Sequence, residues 1–256
     1  MALRVAGSNP VTHPTNLFLE RSQPTSTTMP ISPRRITKIL ICVLLFLTLA
    51  NFAAQFFKYF VDRNYLLWLA LKFDFDIETS IPTWYSSSML LLCSILLAII
   101  STKKTLADRY FIHWRVLAII FLFLSLDEAC GFHEMTIKPL RAALNAGGFL
   151  YYTWVIPGSA FVIIFVLVYL RFIVNLPTKI RSGFLIAGTL YVGGALCMEL
   201  VEGRYVDFYG KQNMTYAIMM TIEELLEMLG IVVFIHTLML YIGSYDKDVQ
   251  IQIHNE

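Results

Sequence analysis

Apolar residues in this chain come in unbroken blocks, not in the alternating or one-faced patterns of soluble strands and helices. Six blocks stand out: about Ile36 to Phe60, Thr83 to Ser101, Tyr110 to Cys130, Leu150 to Val174, Ile180 to Val201 and Thr215 to Ile242. Each reaches the roughly 20 residues that a helix needs to cross about 30 Å of hydrocarbon. The pattern predicts an all-α integral membrane bundle of about six transmembrane helices. Pro157 and Gly158 in the fourth block predict an interruption of its helical hydrogen bonding. Gly193, Gly194 and Ala195 in the fifth predict a close helix approach.

The segments between the blocks set the organisation. Residues 1–35 are rich in Ser, Thr, Pro and Asn and have no apolar periodicity, which predicts a disordered cytoplasmic tail. Residues 36–243 form the transmembrane domain and 244–256 a C-terminal cytoplasmic tail. The first block follows Arg34, Arg35 and Lys38 and reads as an uncleaved signal anchor. The outer loop after it opens with Tyr65 to Leu71, too short to span and expected to lie as an interfacial helix.

Composition excludes a soluble globule: 57% of residues are apolar, 15% are charged and the mean hydropathy is +0.64, whereas a soluble domain carries about 25% charged residues. Charge is also divided between the faces. With Lys103, Lys104, Arg109, Arg171, Lys179 and Arg181 in cytoplasmic loops, that side holds 13 of 20 Lys and Arg but 5 of 18 Asp and Glu. Both termini are then cytoplasmic, and the opposite face is acidic. The partner this implies is the lipid bilayer, with no nucleic acid; a protein partner or a homo-oligomer is left open. Cys42, Cys93, Cys130 and Cys197 lack close zinc-type spacing and read as buried structural residues.

Candidate chemistry sits in blocks three, five and six. They carry Asp127, Glu128, His133 and Glu134; Glu199 and Glu202; and Glu223, Glu224 and Glu227. At 1.5 Å of rise per residue, Asp127, Glu199 and Glu227 lie roughly 22 to 29 Å from the cytoplasmic ends of their helices, in one layer near the outer surface. Helical spacing puts Asp127 with Glu134, Glu199 with Glu202, and Glu223 with Glu227 on shared faces. His236 points away and lies about 13 Å deeper. His113, beside Trp114 and Arg115, reads as an interfacial side chain.

So many acids at the edge of a low-dielectric region cannot all stay ionised uncompensated, since like charges repel and desolvation penalises the charged form. Bound metal, shared protons, or pairing with Lys138, Arg141, Arg204 and Lys211 can each compensate. As a metal site, Asp127, His133, Glu134, Glu199, Glu202, Glu223 and Glu227 are the ligands, with Glu128 and Glu224 supporting them. The Glu-x-x-His pairs of di-iron bundles are absent from the blocks. The oxygen-rich set suits a divalent ion, and Fe, Mn, Ca and Mg are not distinguishable. Asp74, Asp76 and Glu78 alternate in the first outer loop, with their carboxylates on one side of an extended segment. They read as a solvated acidic loop or as further oxygen donors.

Two segments, Ser80-Ile81-Pro82-Thr83-Trp84-Tyr85-Ser86-Ser87 and Leu124-Ser125-Leu126-Asp127-Glu128 with His133-Glu134, resemble those of a group of uncharacterised bacterial multi-pass membrane proteins. The resemblance implies a bacterial plasma membrane and the six-span layout from about residue 36 onward. It implies no reaction and no catalytic residue. Three readings stay open: a metal-binding membrane protein, including a redox enzyme; a proton- or cation-coupled transporter; and a non-catalytic membrane complex subunit or assembly factor.

Overall fold

The computed structural model describes residues 32–60, 71–104 and 108–245. Their regular secondary structure is entirely helical. The chain runs α1 (Pro33–Phe60), α2 (Ile81–Thr102), α3 (Phe111–Cys130), α4 (Phe132–Leu144), α5 (Val155–Val174), α6 (Thr178–Val192), α7 (Glu199–Tyr209) and α8 (Met214–Tyr245). Five helices are long and apolar enough to cross a membrane, with α6, a π-helical segment and α7 forming one of them; there are six if α3 and α4 count as one bent span. The multi-pass layout read from apolar length therefore stands. Most of Tyr65 to Leu71, and nearly all of both tails, lie outside the described residues.

The long helix α8 is the axis of the bundle and packs against α6, α1 and α2. Its inward face, Met228, Ile231, Val232, Ile235 and Leu238, meets Leu44 and Leu47 of α1 and Leu90, Cys93 and Leu97 of α2 in one apolar core. Cys93 is buried there, whereas Cys42, Cys130 and Cys197 are exposed and do not fit the buried-cysteine reading. At the end holding Trp114, that ring stacks on Tyr241 at 4.8 Å and meets Phe172 edge-on at 5.0 Å. His113 is drawn into this aromatic group, stacked on Phe172 at 5.5 Å. The lone α5 keeps Ile163, Ile164, Leu167 and Val168 exposed, as a lipid-facing helix does.

Three local features depart from the reading of uninterrupted spans. The third span ends at Gly131, whose φ of +60° is a left-handed conformation natural to glycine. The chain turns there by 73° into α4. Asp127 and Glu134 are thus on different helices, and their spacing of seven does not put them on a common face. The fourth span begins at Val155, so Pro157 occupies the first turn, where a missing N–H breaks nothing. Gly158 N–H still donates to Trp154 O at 2.9 Å. The fifth span passes through π-helical backbone from Gly193 to Met198 before Glu199. Such wide turns often occur at functional sites because they redirect the residues after them.

Candidate functional site

A carboxyl group is the common element of this site, and α7 and α8 supply its centre. Glu202 and Glu223 are 1% and 5% exposed, so both lie inside the protein. The Glu223 carboxyl lies within hydrogen-bonding range of both Glu199 and Glu202. Close approach of the helices makes this possible. A Cβ on Gly194 would stand 2.7 Å from Glu227 Cγ and 2.8 Å from Glu223 O, so only glycine lets the π segment sit against α8. The predicted close approach at Gly194 is thereby met, and at Gly193 it is not, since a Cβ there meets nothing within 4 Å.

Among the described residues no Lys or Arg pairs directly with this trio, Glu199, Glu202 and Glu223. Arg141 instead lies over the Tyr151 ring at 4.2 Å and Arg204 over Phe208 at 4.1 Å. Lys211 acts on Glu202 and, after His133, on Glu199, but it is held over Tyr152 and Tyr216 at 5.0 and 5.6 Å. Glu202 Oε1 and Glu223 Oε2 are buried without a hydrogen-bond partner. Trp154 Nε1 faces Glu199 without completing a bond to it.

Glu224 and Glu227 form the next turn of the same helix, with Glu128 of α3 as a strong electrostatic neighbour of both. Ser86 of α2 is the hydroxyl neighbour of Glu128. Tyr191 faces this group from α6, with Glu227 as its strongest charged neighbour. Ser87 and Ser125 donate to each other's backbone carbonyls at 2.8 Å, locking α2 to α3 one turn from Glu128. The two sequence segments carrying the resemblance therefore pack against each other and position an acid.

The bend after α3 holds a separate pair. His133 N–H donates to Asp127 Oδ1 at 2.9 Å, and His133 Nδ1 lies 2.8 Å from Asp127 Oδ2. Glu134 meets Glu78 of the segment before α2 instead of the trio. Burial, with Glu134 next, pushes the Glu78 carboxyl above its usual range.

The three loop acids do not form a set. Asp74 is buried, against the reading of a solvated loop. It accepts from Gln55 Nε2 at 2.7 Å and pairs with Lys58 at 2.9 Å. Gln55 continues to Asn51, and Asn51 Nδ2 donates to Thr221 Oγ1 at 2.8 Å, tying the loop and α1 to α8. Asp76 accepts from Tyr216 Oη at 2.9 Å, and burial raises its carboxyl despite Lys211 and that bond. Glu78 goes to Glu134. The segment is a series of turns, so alternate residues do not share a side.

His236 takes no part in any of these groups and bonds Thr37 Oγ1 through Nδ1 at 2.7 Å. Sequence reasoning missed Asn51, Gln55 and Thr221, whose polarity inside apolar blocks was the available signal. It also missed Gly131, which stands directly before Phe132-His133-Glu134. Among the described residues no three His, Cys, Asp or Glu side chains are grouped so as to hold a metal ion.

A family model for a domain of unknown function (DUF8692) matches residues 40–242. The chain belongs to this family. The matched DUF8692 region contains every acid described above, from Asp74 to Glu227. Comparison with curated proteins and with solved structures returned no match.

Proposed function

We propose that the protein is a proton-coupled membrane carrier in which Glu199, Glu202 and Glu223 hold shared protons near the non-cytoplasmic surface. The observation that carries this reading is the contact of Glu223 with two other carboxyl groups. An ionised carboxylate only accepts hydrogen bonds, so two carboxyls bond each other only when one holds a proton. Such groups inside a membrane protein commonly belong to proton relays and coupling sites. The charge division of the sequence supports an outward-facing trio with both termini in the cytoplasm.

Between Glu227 and His236 the helix α8 presents buried Met228, Ile231, Val232 and Ile235. That apolar stretch spans about 13 Å of rise and opposes a continuous proton wire. It favours a carrier that exposes its protonated site alternately over an open channel. The Gly131 bend at the end of α3, and the π segment that packs against α8, are the places where such a rearrangement has least regular backbone to break.

A second reading has support from the two unpartnered oxygens, Glu202 Oε1 and Glu223 Oε2. They are suited to a divalent cation, Fe, Mn, Ca or Mg, once a third ligand moves in. A docking face for a basic partner gains little, because Glu202 and Glu223 are inside.

The test is infrared titration of the detergent-purified protein beside Glu223→Gln, with elemental mass spectrometry on the same samples. A protonated-carboxyl band at neutral pH that is lost in the variant is expected. No such band, with a near-stoichiometric metal that the variant loses, would replace the proton reading by the metal one. Proton-driven uptake in proteoliposomes that survives Glu223→Gln would reject the coupling role.

A further inference from the structure

A second concave site lies away from the carboxyl trio, where the end of α4 and Tyr151 face α7. It is an open depression of about 360 Å³, lined by Lys138, Arg141, Asn145, Tyr151 and Asp207 among others. Lys138 and Arg141 are three residues apart, one turn of α4, so both cations reach the same opening. Arg141 is held over the Tyr151 ring at 4.2 Å. That stacking orders the guanidinium and leaves its edge N–H groups for an acceptor.

Across the cavity stands an anion. Asp207 Oδ2 accepts the Gly148 N–H at 2.8 Å, which fixes the carboxylate on α7. Among the described residues Asp207 makes no ion pair, and neither do Lys138 and Arg141. Charges of opposite sign therefore face one cavity without neutralising each other directly. A simple anion would meet the two cations but be repelled by Asp207; a simple cation would meet the reverse. The complementary ligand carries both signs a few ångströms apart.

The position narrows the ligand further. The 73° bend at Gly131 carries α4 off the line of the α3 span. Phe132, Met135, Leu144 and Phe149, on α4 and the turn after it, are exposed, as expected of a segment at the lipid surface. Basic side chains at that level meet lipid phosphates.

We infer that this cavity binds a phosphate ester bearing a primary ammonium group, the phosphoethanolamine headgroup of a membrane lipid. Lys138 and Arg141 take the phosphate, with Arg141 able to give it two parallel N–H donors. Asp207 accepts from the ammonium. The acyl chains remain outside, along the exposed apolar residues of α4. The inference is independent of the carboxyl trio and uses none of its residues.

Native mass spectrometry of the full chain tests it, with phosphatidylethanolamine or phosphatidylglycerol added to delipidated protein. The wild type is expected to retain the ethanolamine lipid about tenfold more tightly than the glycerol lipid, a difference of the size one charged hydrogen bond gives. Lys138→Gln with Arg141→Gln is expected to lose retention of both. Asp207→Asn keeps an acceptor for Gly148 and is expected to abolish the preference alone, while Asp207→Glu preserves it. Unchanged melting temperatures show that the variants are folded.

Equal retention of the two lipids by the wild type overturns the inference, as does retention indifferent to the double substitution. Free phosphoethanolamine binding as tightly as the lipid would assign the same headgroup chemistry to a soluble ester. Competition by inorganic phosphate equal to that of phosphoethanolamine would overturn the role of Asp207.

Discussion

Glu223 of α8 meets Glu202 of α7 carboxyl to carboxyl inside the protein, and each retains a buried oxygen that nothing bonds. Two like groups in such contact are an unfavourable arrangement for folding, and it persists because the helices around it are fixed by other contacts. Gly194 lets the π segment close on α8, and the Asn51–Thr221 bond ties α8 to α1.

Replacing Glu223 by Gln supplies N–H donors to both neighbouring acids without changing shape. The variant is expected to be more stable than the wild type by about 1 to 2 kcal/mol, the scale of a buried polar group newly satisfied. Thermal unfolding in detergent, followed by circular dichroism, measures this. A loss of stability of the same size would show that the trio is ionised and balanced by a bound cation.

The two adjacent glycines of the π segment give opposite expectations. Gly194→Ala forces a methyl group against the α8 backbone and is expected to cost about 1 to 3 kcal/mol, as overpacked cores do. Gly193→Ala meets nothing and is expected to be neutral or slightly stabilising, because alanine restricts the unfolded chain. Comparison of the two melting temperatures checks the contact directly.

At Gly131 the left-handed backbone is the constraint. Gly131→Ala is expected to lose about 1 to 2 kcal/mol from the positive φ. Its added Cβ also falls on the Glu78 carboxyl, the far end of a flexible side chain that can swing aside. Gly131→Asn is expected to lose less, since asparagine tolerates this conformation. Equal losses for the two variants would mean that crowding by Glu78 decides the outcome.

Glu78 and Glu134 make the docking of the segment before α2 dependent on pH. Burial and the neighbouring Glu134 hold the Glu78 proton to higher pH in the folded protein than in the unfolded chain. The stabilisation is therefore complete below the ordinary carboxylate range and is lost as pH rises through the raised value. Melting temperature measured across this range should fall with rising pH in the wild type and fall less in Glu78→Gln. A slope unchanged by the substitution would assign the dependence to other acids.

The Asp74–Lys58 pair attaches the segment before α2 to α1. Asp74→Ala leaves the Lys58 ammonium and Gln55 without their partner and is expected to destabilise by about 3 kcal/mol, as breaking a buried ion pair does. Limited proteolysis between α1 and α2 provides a second readout. Cleavage as slow as in the wild type would show that Asp74 does not hold the loop.

The sequence by itself determined the fold class and the positions of the spans. Crossing hydrocarbon demands a stated length of apolar residues whatever their neighbours are, so Ile36 to Phe60 or Thr215 to Ile242 identifies a helix without reference to the rest of the chain. It also marked the acids, because Glu199, Glu202, Glu223 and Glu227 stand out chemically in such blocks. It did not determine which of them meet. Helical periodicity relates residues only while the helix is regular, and one left-handed glycine at 131 sent Glu134 to Glu78 and left Asp127 with His133. The alternation of Asp74, Asp76 and Glu78 failed likewise, because turns redirected each acid to a different element. Only the tertiary structure decided that Glu223 stands between Glu199 and Glu202, since that depends on which helix lies beside α8 and how closely its backbone can approach.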